Sequence, residues 1–89
     1  MLKPDYTSKF KKDYQRVIKR NYDISLLDDV IEDLVNEIPL DKKHKDHALV
    51  GNFVGCRECH IKSDWLLVYQ IGKGVIVFER TGTHSDLFK

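Results

Sequence analysis

With 89 residues, 42% hydrophobic and 33% charged, the chain suits one folded domain with a modest core, which excludes a two-lobed enzyme and a fibrous or disordered chain. Cys56 and Cys59 stand too close in sequence to staple a long loop, the near-apolar stretch Trp65 to Ile71 is far shorter than a bilayer span, and M-L-K-P-D-Y-T-S-K-F contains no leader pattern, so a cytoplasmic protein with reduced thiols and no membrane contact is expected. The net charge of +1 hides an uneven distribution: residues 1–22 hold seven bases against two acids, residues 23–41 seven acids and no base, and residues 42–89 eight bases against five acids. Such asymmetry suits a polyanion partner on one face, while the acidic run alone reads as a solvated helix face.

Leu2 and Lys3 precede Pro4, and a residue before proline is pushed toward extended conformations, so a short edge strand is predicted first. From Thr7 to about Arg20, Phe10, Tyr14, Val17 and Ile18 fall on one helical face, with Thr7 or Ser8 as cap and bases on the other faces. After a tight turn at Asn21 to Asp23, the apolar positions Ile24, Leu27, Ile31, Leu34, Val35 and Ile38 repeat the helical period until Pro39. So short a connection predicts an antiparallel helical hairpin.

The period then changes to two. Ala48 to Phe53, Gly55 to Lys62, Trp65 to Ile71 and Val75 to Thr81 are predicted strands, and Gly72-Lys73-Gly74 is a hairpin turn. The expected fold class is α+β: an N-terminal helical hairpin packed on a twisted, mainly antiparallel sheet of four to five strands, forming one domain over residues 1–89. In the strand Gly55 to Lys62, alternation puts Cys59 and Ile61 on one face and Glu58, His60 and Lys62 on the other. Chemistry is expected on the face turned away from the helices. Beyond the last strand, Gly82 leads to a short polar tail carrying His84, with Phe88 four residues on.

Three of the four histidines fall where strands begin or end: His47, His60 and His84, with Asp64 in the turn after His60. Histidine, with an unperturbed pKa of about 6.5, gives and takes protons near neutrality, and several on one face suit paired acid and base catalysis. Together with Arg57, Arg80 and the bases Lys42, Lys43 and Lys45, they suit a phosphodiester with an internal nucleophile, that is, RNA. A base would take the 2'-hydroxyl proton, an acid would protonate the departing 5'-oxygen, and cations would hold the phosphate. Phe88 or Trp65 would stack on a base. Plainer readings stand beside these: a single histidine is more often structural, Trp65 in an apolar strand is more often core, and Glu79 and Arg80 can be an ion-pair partner and a solvated base. His44-x-x-His47 with Cys56-x-x-Cys59 has the ligand count of a zinc site. However, cysteines three apart in a strand face opposite ways, and no Gly or Pro between them would turn the chain. No metal or cofactor is therefore expected.

K-D-H-A-L-V-G (Lys45 to Gly51), G-C-R-E-C-H (Gly55 to His60), D-W-L-L-V-Y (Asp64 to Tyr69) and F-E-R-T-G-T-H-x-x-L-F (Phe78 to Phe88) together resemble the YafQ family of the RelE/ParE-type toxins of bacterial type II toxin-antitoxin systems. The resemblance implies a RelE-like fold and a ribosome-dependent endoribonuclease (an mRNA interferase) that cleaves translated mRNA and is silenced by a cognate antitoxin. It places catalysis at His47, His60, Asp64 and His84 and substrate contacts at Phe88, Arg80, Trp65 and Arg57. On this reading, His47 oriented with His60 removes the 2'-proton, His84 protonates the leaving oxygen and Asp64 sets a tautomer. His44 matches no motif position and reads as a surface residue. The implied partners are the antitoxin, the ribosome with its 16S rRNA, and mRNA; DNA reading is expected of the antitoxin and not of this chain. Because the chain is nearly neutral, attraction to rRNA would fall to the basic first helix and Lys42 to Lys45. The alternatives are a non-catalytic toxin of the same fold, such as the gyrase-directed relatives, which would be expected to lack the histidine set, and a small zinc-binding module.

Overall fold

The computed structural model describes residues 1–88. The first strand, β1 (Lys3–Tyr6), leads through Thr7 into α1 (Ser8–Lys19). The Thr7 hydroxyl accepts from the Phe10 N–H at 2.9 Å, satisfying one of the donors that a helix start leaves open. Phe10 and Val17 are buried. Asn21 takes a left-handed φ of 61° and turns the chain into α2 (Ile24–Val35), capped by Asp23, whose carboxylate accepts from the Ser25 N–H. This helix stops short of Pro39: Glu37 is also left-handed, its N–H closing on the Leu34 carbonyl at 3.1 Å, and Ile38 is left half exposed.

The sheet follows as β2 (His47–Ala48), β3 (Arg57–Lys62), β4 (Trp65–Ile71) and β5 (Val75–Gly82), in the order β1-β5-β4-β3-β2. The last four strands are antiparallel, and β1 lies parallel to β5. The predicted strand at Ala48 to Phe53 shrinks to a two-residue pairing. Gly51, at φ 71°, leads into a 3-10 turn over Gly51–Phe53, and Val50 stays exposed rather than joining the sheet.

β4 is buried on both faces, which accounts for its unbroken apolar run. Trp65, Leu67 and Tyr69 join Phe10, Val17, Leu27, Val30, Leu34, Cys59, Ile61, Ile76 and Phe78 in the core beneath the helices. Leu66 and Val68 face the other way and pack with Cys56 and Leu87, flanked by Leu49 and Phe53.

Two irregularities position the second face. The β4–β5 register shifts, setting Val68 opposite Arg80 and Tyr69 opposite Phe78; Glu79 is the extra residue of a β-bulge, which puts Arg80 on the same face as Val68. Beyond Tyr6, β1 no longer covers the edge of β5, and α1 takes over. Thr7 N–H donates to the Phe78 carbonyl (3.1 Å), the Thr7 hydroxyl to the Glu79 carbonyl (2.8 Å), and Thr81 N–H to the Asp13 carboxylate (3.2 Å). These bonds occupy an edge that would otherwise be open to other chains.

The expected polar tail is a short helix, α3 (His84–Leu87), started by a capping box in which Thr83 and Asp86 each bond the other's backbone N–H. A Cβ on Gly82 (φ 153°) would lie 2.8 Å from Asp86 Oδ2, so this close turn requires glycine. Among the described residues, no helix is long and apolar enough to cross a membrane.

Candidate active site

Antiparallel pairing stacks residues in rows across the sheet. His47 lies opposite Glu58, Glu58 opposite Val68, and Val68 opposite Arg80. The next row runs from His60 to Leu66 to Gly82, and Gly82 turns the chain toward His84. All of these residues share the face away from the helices. Ring centroids are 6.4 Å apart for His47 and His60, 6.0 Å for His60 and His84, and 6.3 Å for His84 and Phe88. Phe53 meets Phe88 edge-on at 5.3 Å.

The three imidazoles are held alike. His47 Nδ1 is 2.7 Å from the Lys45 carbonyl and His60 Nδ1 is 3.2 Å from the Ser63 carbonyl. A carbonyl only accepts, so each Nδ1 carries a proton and donates it, leaving Nε2 with a lone pair that can accept one. His84 Nδ1 is 2.7 Å from Asp64 Oδ1, and that oxygen also accepts the His84 backbone N–H at 3.0 Å. Those two bonds hold the Asp64 carboxyl below its usual range, the backbone bond contributing most. Beneath the first two rings lies Glu58, whose side chain is 6% exposed, with Oε1 3.6 Å from Nε2 of both His47 and His60. A proton arriving on either Nε2 therefore meets a carboxylate shared by the pair.

His47, His60, Asp64, His84 and Phe88 are thus brought together. Arg80 has its stem on the same face, but its head is gripped by Asp13, with Nε 2.6 Å from Oδ2 and Nη2 3.1 Å from Oδ1; it is not a freely solvated base. Arg57 and Trp65 lie elsewhere. Arg57 is opposite Tyr69 in the helix-side row, pinned to Asp46 through Nε at 2.7 Å, and Tyr69 OH donates to the same carboxylate. Asp46 raises the Arg57 guanidinium, while burial and then Asp46 raise the Tyr69 phenol. Trp65 is buried beneath the helices, edge-on to Tyr22 at 5.0 Å, and its Nε1–H donates to Thr81 Oγ1 at 3.0 Å. What remains exposed of it, 3%, lies at a cleft that it lines with Lys62 and Asp64.

Two participants carried no assigned role in the sequence reading. Alternation puts Glu58 beside His60, but its burial between two histidines depends on β2 pairing, which local pattern does not reveal. His44, read as a surface residue, is half buried and bonds the His60 carbonyl through Nδ1 at 2.7 Å, bracing β3 at that position. The cysteines do face opposite ways: Cys59 belongs to the helix-side core and Cys56 to the other cluster, and burial pushes the Cys59 thiol up to about 12. Among the described residues, no group of three or more His, Cys, Asp or Glu side chains is arranged to hold a metal ion.

α3, which carries His84, is fastened to α1. Arg20 donates to Asp86 through two nitrogens, at 2.7 and 3.1 Å, and this contact chiefly holds the Asp86 carboxyl well below its usual range.

Residues 2–89 match the family model described as the bacterial toxin of type II toxin-antitoxin systems, YafQ. The mRNA interferase toxin YafQ of Escherichia coli K12 is 38% identical over 85 residues, which is 94% of this chain and 92% of the relative. Among solved structures, the E. coli DinJ-YafQ complex contains a chain 36% identical with a TM-score of 0.93, covering all of both chains. A metal-bound toxin from Helicobacter pylori is 44% identical with a TM-score of 0.93, covering 99% of this chain and 100% of that one.

Proposed function

The chain belongs to the YafQ family, toxins of bacterial type II toxin-antitoxin systems, and from that premise we propose that it is a ribosome-dependent endoribonuclease cleaving translated mRNA by acid-base catalysis on its histidine face. The enzyme class, an mRNA interferase, is that of the family members it resembles over nearly its whole length. The observation that carries the mechanism is the row of three imidazoles, each with Nδ1 tied back and Nε2 left to work.

With the scissile phosphate lying along this row, the His47–His60 pair, sharing Glu58, accepts the 2'-hydroxyl proton. The 2'-oxygen attacks phosphorus, the bond to the 5'-oxygen breaks, and His84 Nε2 delivers a proton to that oxygen. The products are a 2',3'-cyclic phosphate and a 5'-hydroxyl. Asp64 fixes the His84 tautomer and stabilises its cationic form, Arg80 meets phosphate charge, and Phe88 backed by Phe53 supports a base. Each step uses groups of the chain itself, so no cofactor is invoked.

The partners on this reading are the ribosome, approached through the basic faces of α1, the mRNA in its decoding site, and an antitoxin that silences the toxin in the cytoplasm, as DinJ pairs with YafQ in the related complex. Residues 1–89 act as one toxin domain without DNA reading of their own. His84→Ala is the test. On programmed ribosomes, cleavage should fall by about 100-fold or more, with antitoxin binding and melting temperature retained. A variant that cuts like the parent removes His84 from the mechanism, and growth arrest by the parent without mRNA cuts would favour a binding toxin instead.

A further inference from the structure

Asp13 occupies a place where a helix normally puts an apolar residue. The buried stripe of α1 reads Phe10, Asp13, Tyr14, Val17, and Asp13 is 1% exposed. Four N–H groups surround its carboxylate: Arg80 Nε at 2.6 Å, Arg80 Nη2 at 3.1 Å, Thr81 N at 3.2 Å and Arg16 Nη1 at 3.3 Å. A buried ion pair is weak support for stability, since apolar side chains of similar volume commonly replace one at no loss. The arrangement calls for another reason.

Three features of the pair give one. First, the bulge at Glu79 moves Arg80 onto the face of Glu58 and the histidines; regular alternation from Phe78 would have put it beneath the helices. Second, Asp13 reaches around the free edge of β5 and takes the guanidinium from its Nε side. Among the described residues, Nη1 has no hydrogen-bond partner, so the planar group keeps an outer edge with unused donors. Third, Arg80 lines a cleft of about 390 Å³ with Thr7, Ser8, Lys9, Phe53 and Glu79, in which two cations stand against one carboxylate. Phe53 meets Phe88, and Phe88 adjoins His84. The cleft thus pairs a second cation with Arg80 and continues through two aromatic rings toward the histidines.

We propose that Asp13 is a positioning residue for RNA cleavage: by gripping the Nε side of Arg80 across the free edge of β5, it holds the outer guanidinium edge toward a backbone phosphate in the cleft beside Lys9 and Phe53. This rests on the reading that the histidine face cleaves RNA. It adds how Arg80 is aimed and where the chain of phosphates leaves the histidine row. A planar fork held on one side can still bind phosphate on the other, whereas a lysine ammonium held by Asp13 has no second edge to present.

The test is a cycle of single-turnover cleavage on programmed ribosomes with wild type, Asp13→Asn, Arg80→Ala and the double variant, alongside Arg80→Lys. Asp13→Asn should slow cleavage about 10- to 100-fold, chiefly in kcat, with toxin still binding ribosomes. In the Arg80→Ala background the same change should cost nothing further, since Asp13 acts through Arg80. Arg80→Lys should cleave as slowly as Arg80→Ala despite its retained charge. The proposal is overturned if Asp13→Asn cleaves at the parental rate, if its effect persists undiminished without Arg80, or if Arg80→Lys is fully active. Should Asp13→Asn fail to fold, Arg80→Lys decides alone. A wild-type protein that cuts no mRNA would overturn the functional reading and this inference with it.

Discussion

The two faces of the sheet differ in kind although they alternate along the same strands. On the helix side, Leu67, Ile76 and Phe78 are fully buried in a core fed by both helices. On the histidine side, four buried residues, Cys56, Leu66, Val68 and Leu87, form a thin floor, around which stand three histidines, a buried glutamate and an arginine. The first face removes apolar area from water and so carries stability. The second leaves polar groups in defined geometry over a minimum of packing. Neighbouring residues of β3 and β4 therefore answer to different demands, and substitutions one position apart should separate them.

The largest expected separation is at β4. Leu67→Ala opens a cavity in the helix-side core and should destabilise the fold by about 3 kcal/mol, while cleavage per folded molecule stays near the parental value. A denaturant titration beside a cleavage assay checks both, and a cleavage loss much larger than the unfolded fraction would break the division. Next is Glu58→Gln in β3, which keeps shape but removes the charge shared by His47 and His60. Cleavage should fall by about tenfold or more at neutral pH, with a smaller change in melting temperature; unchanged kinetics would leave Glu58 merely structural.

A smaller effect is expected at the Arg20–Asp86 clasp beneath α3. The folded carboxyl of Asp86 is depressed, so its contribution to stability is full above the unfolded value of about 3.9 and is lost as pH falls through the lower folded value. Asp86→Asn should therefore cost about 1 kcal/mol at pH 7, a modest figure because Arg20 is 38% exposed and water screens the pair. The gap between variant and parent should narrow as pH drops below about 4; a gap independent of pH would mean that the capping geometry, not the charge, matters. The smallest effect is expected at Arg57, which lies on the helix-side row with Asp46. Arg57→Ala should leave cleavage within about twofold of the parent, because this half-exposed pair lies away from the histidine face. A large cleavage loss would reinstate it as a substrate contact.

How far the sequence reveals this division depends on the range of the interactions. The 3.6 and 2.0 periods mark α1, α2 and β3 to β5, and alternation in β3 separates His60 from Cys59, because those patterns arise from burial of neighbouring residues. The α3 turn is signalled too, since Thr83 and Asp86 stand at capping-box spacing just after a glycine. β2 is misjudged because Val50 and Phe53 look like strand residues, whereas left-handed Gly51 takes the chain elsewhere. The placement of Arg80 is the least legible. It depends on a bulge that reverses alternation after Phe78 and on an aspartate 67 residues earlier. One local sign of it exists, an acidic residue on the apolar stripe of α1, and a buried charge demands a partner. Trp65 reads two ways in the sequence, as a stacking platform beside Asp64 or as the core of an apolar strand, and its ring lies under the helices against Tyr22.

The division between a stabilising face and a proton-transferring face rests on the proposal that the histidine row promotes attack by the 2'-hydroxyl. The direct measurement is the end chemistry of mRNA cut by the purified toxin on programmed ribosomes. A 2',3'-cyclic phosphate on the upstream fragment with a 5'-hydroxyl downstream is the expected outcome. A 3'-hydroxyl with a 5'-phosphate would mean that water, not the 2'-oxygen, attacks phosphorus, and would contradict it.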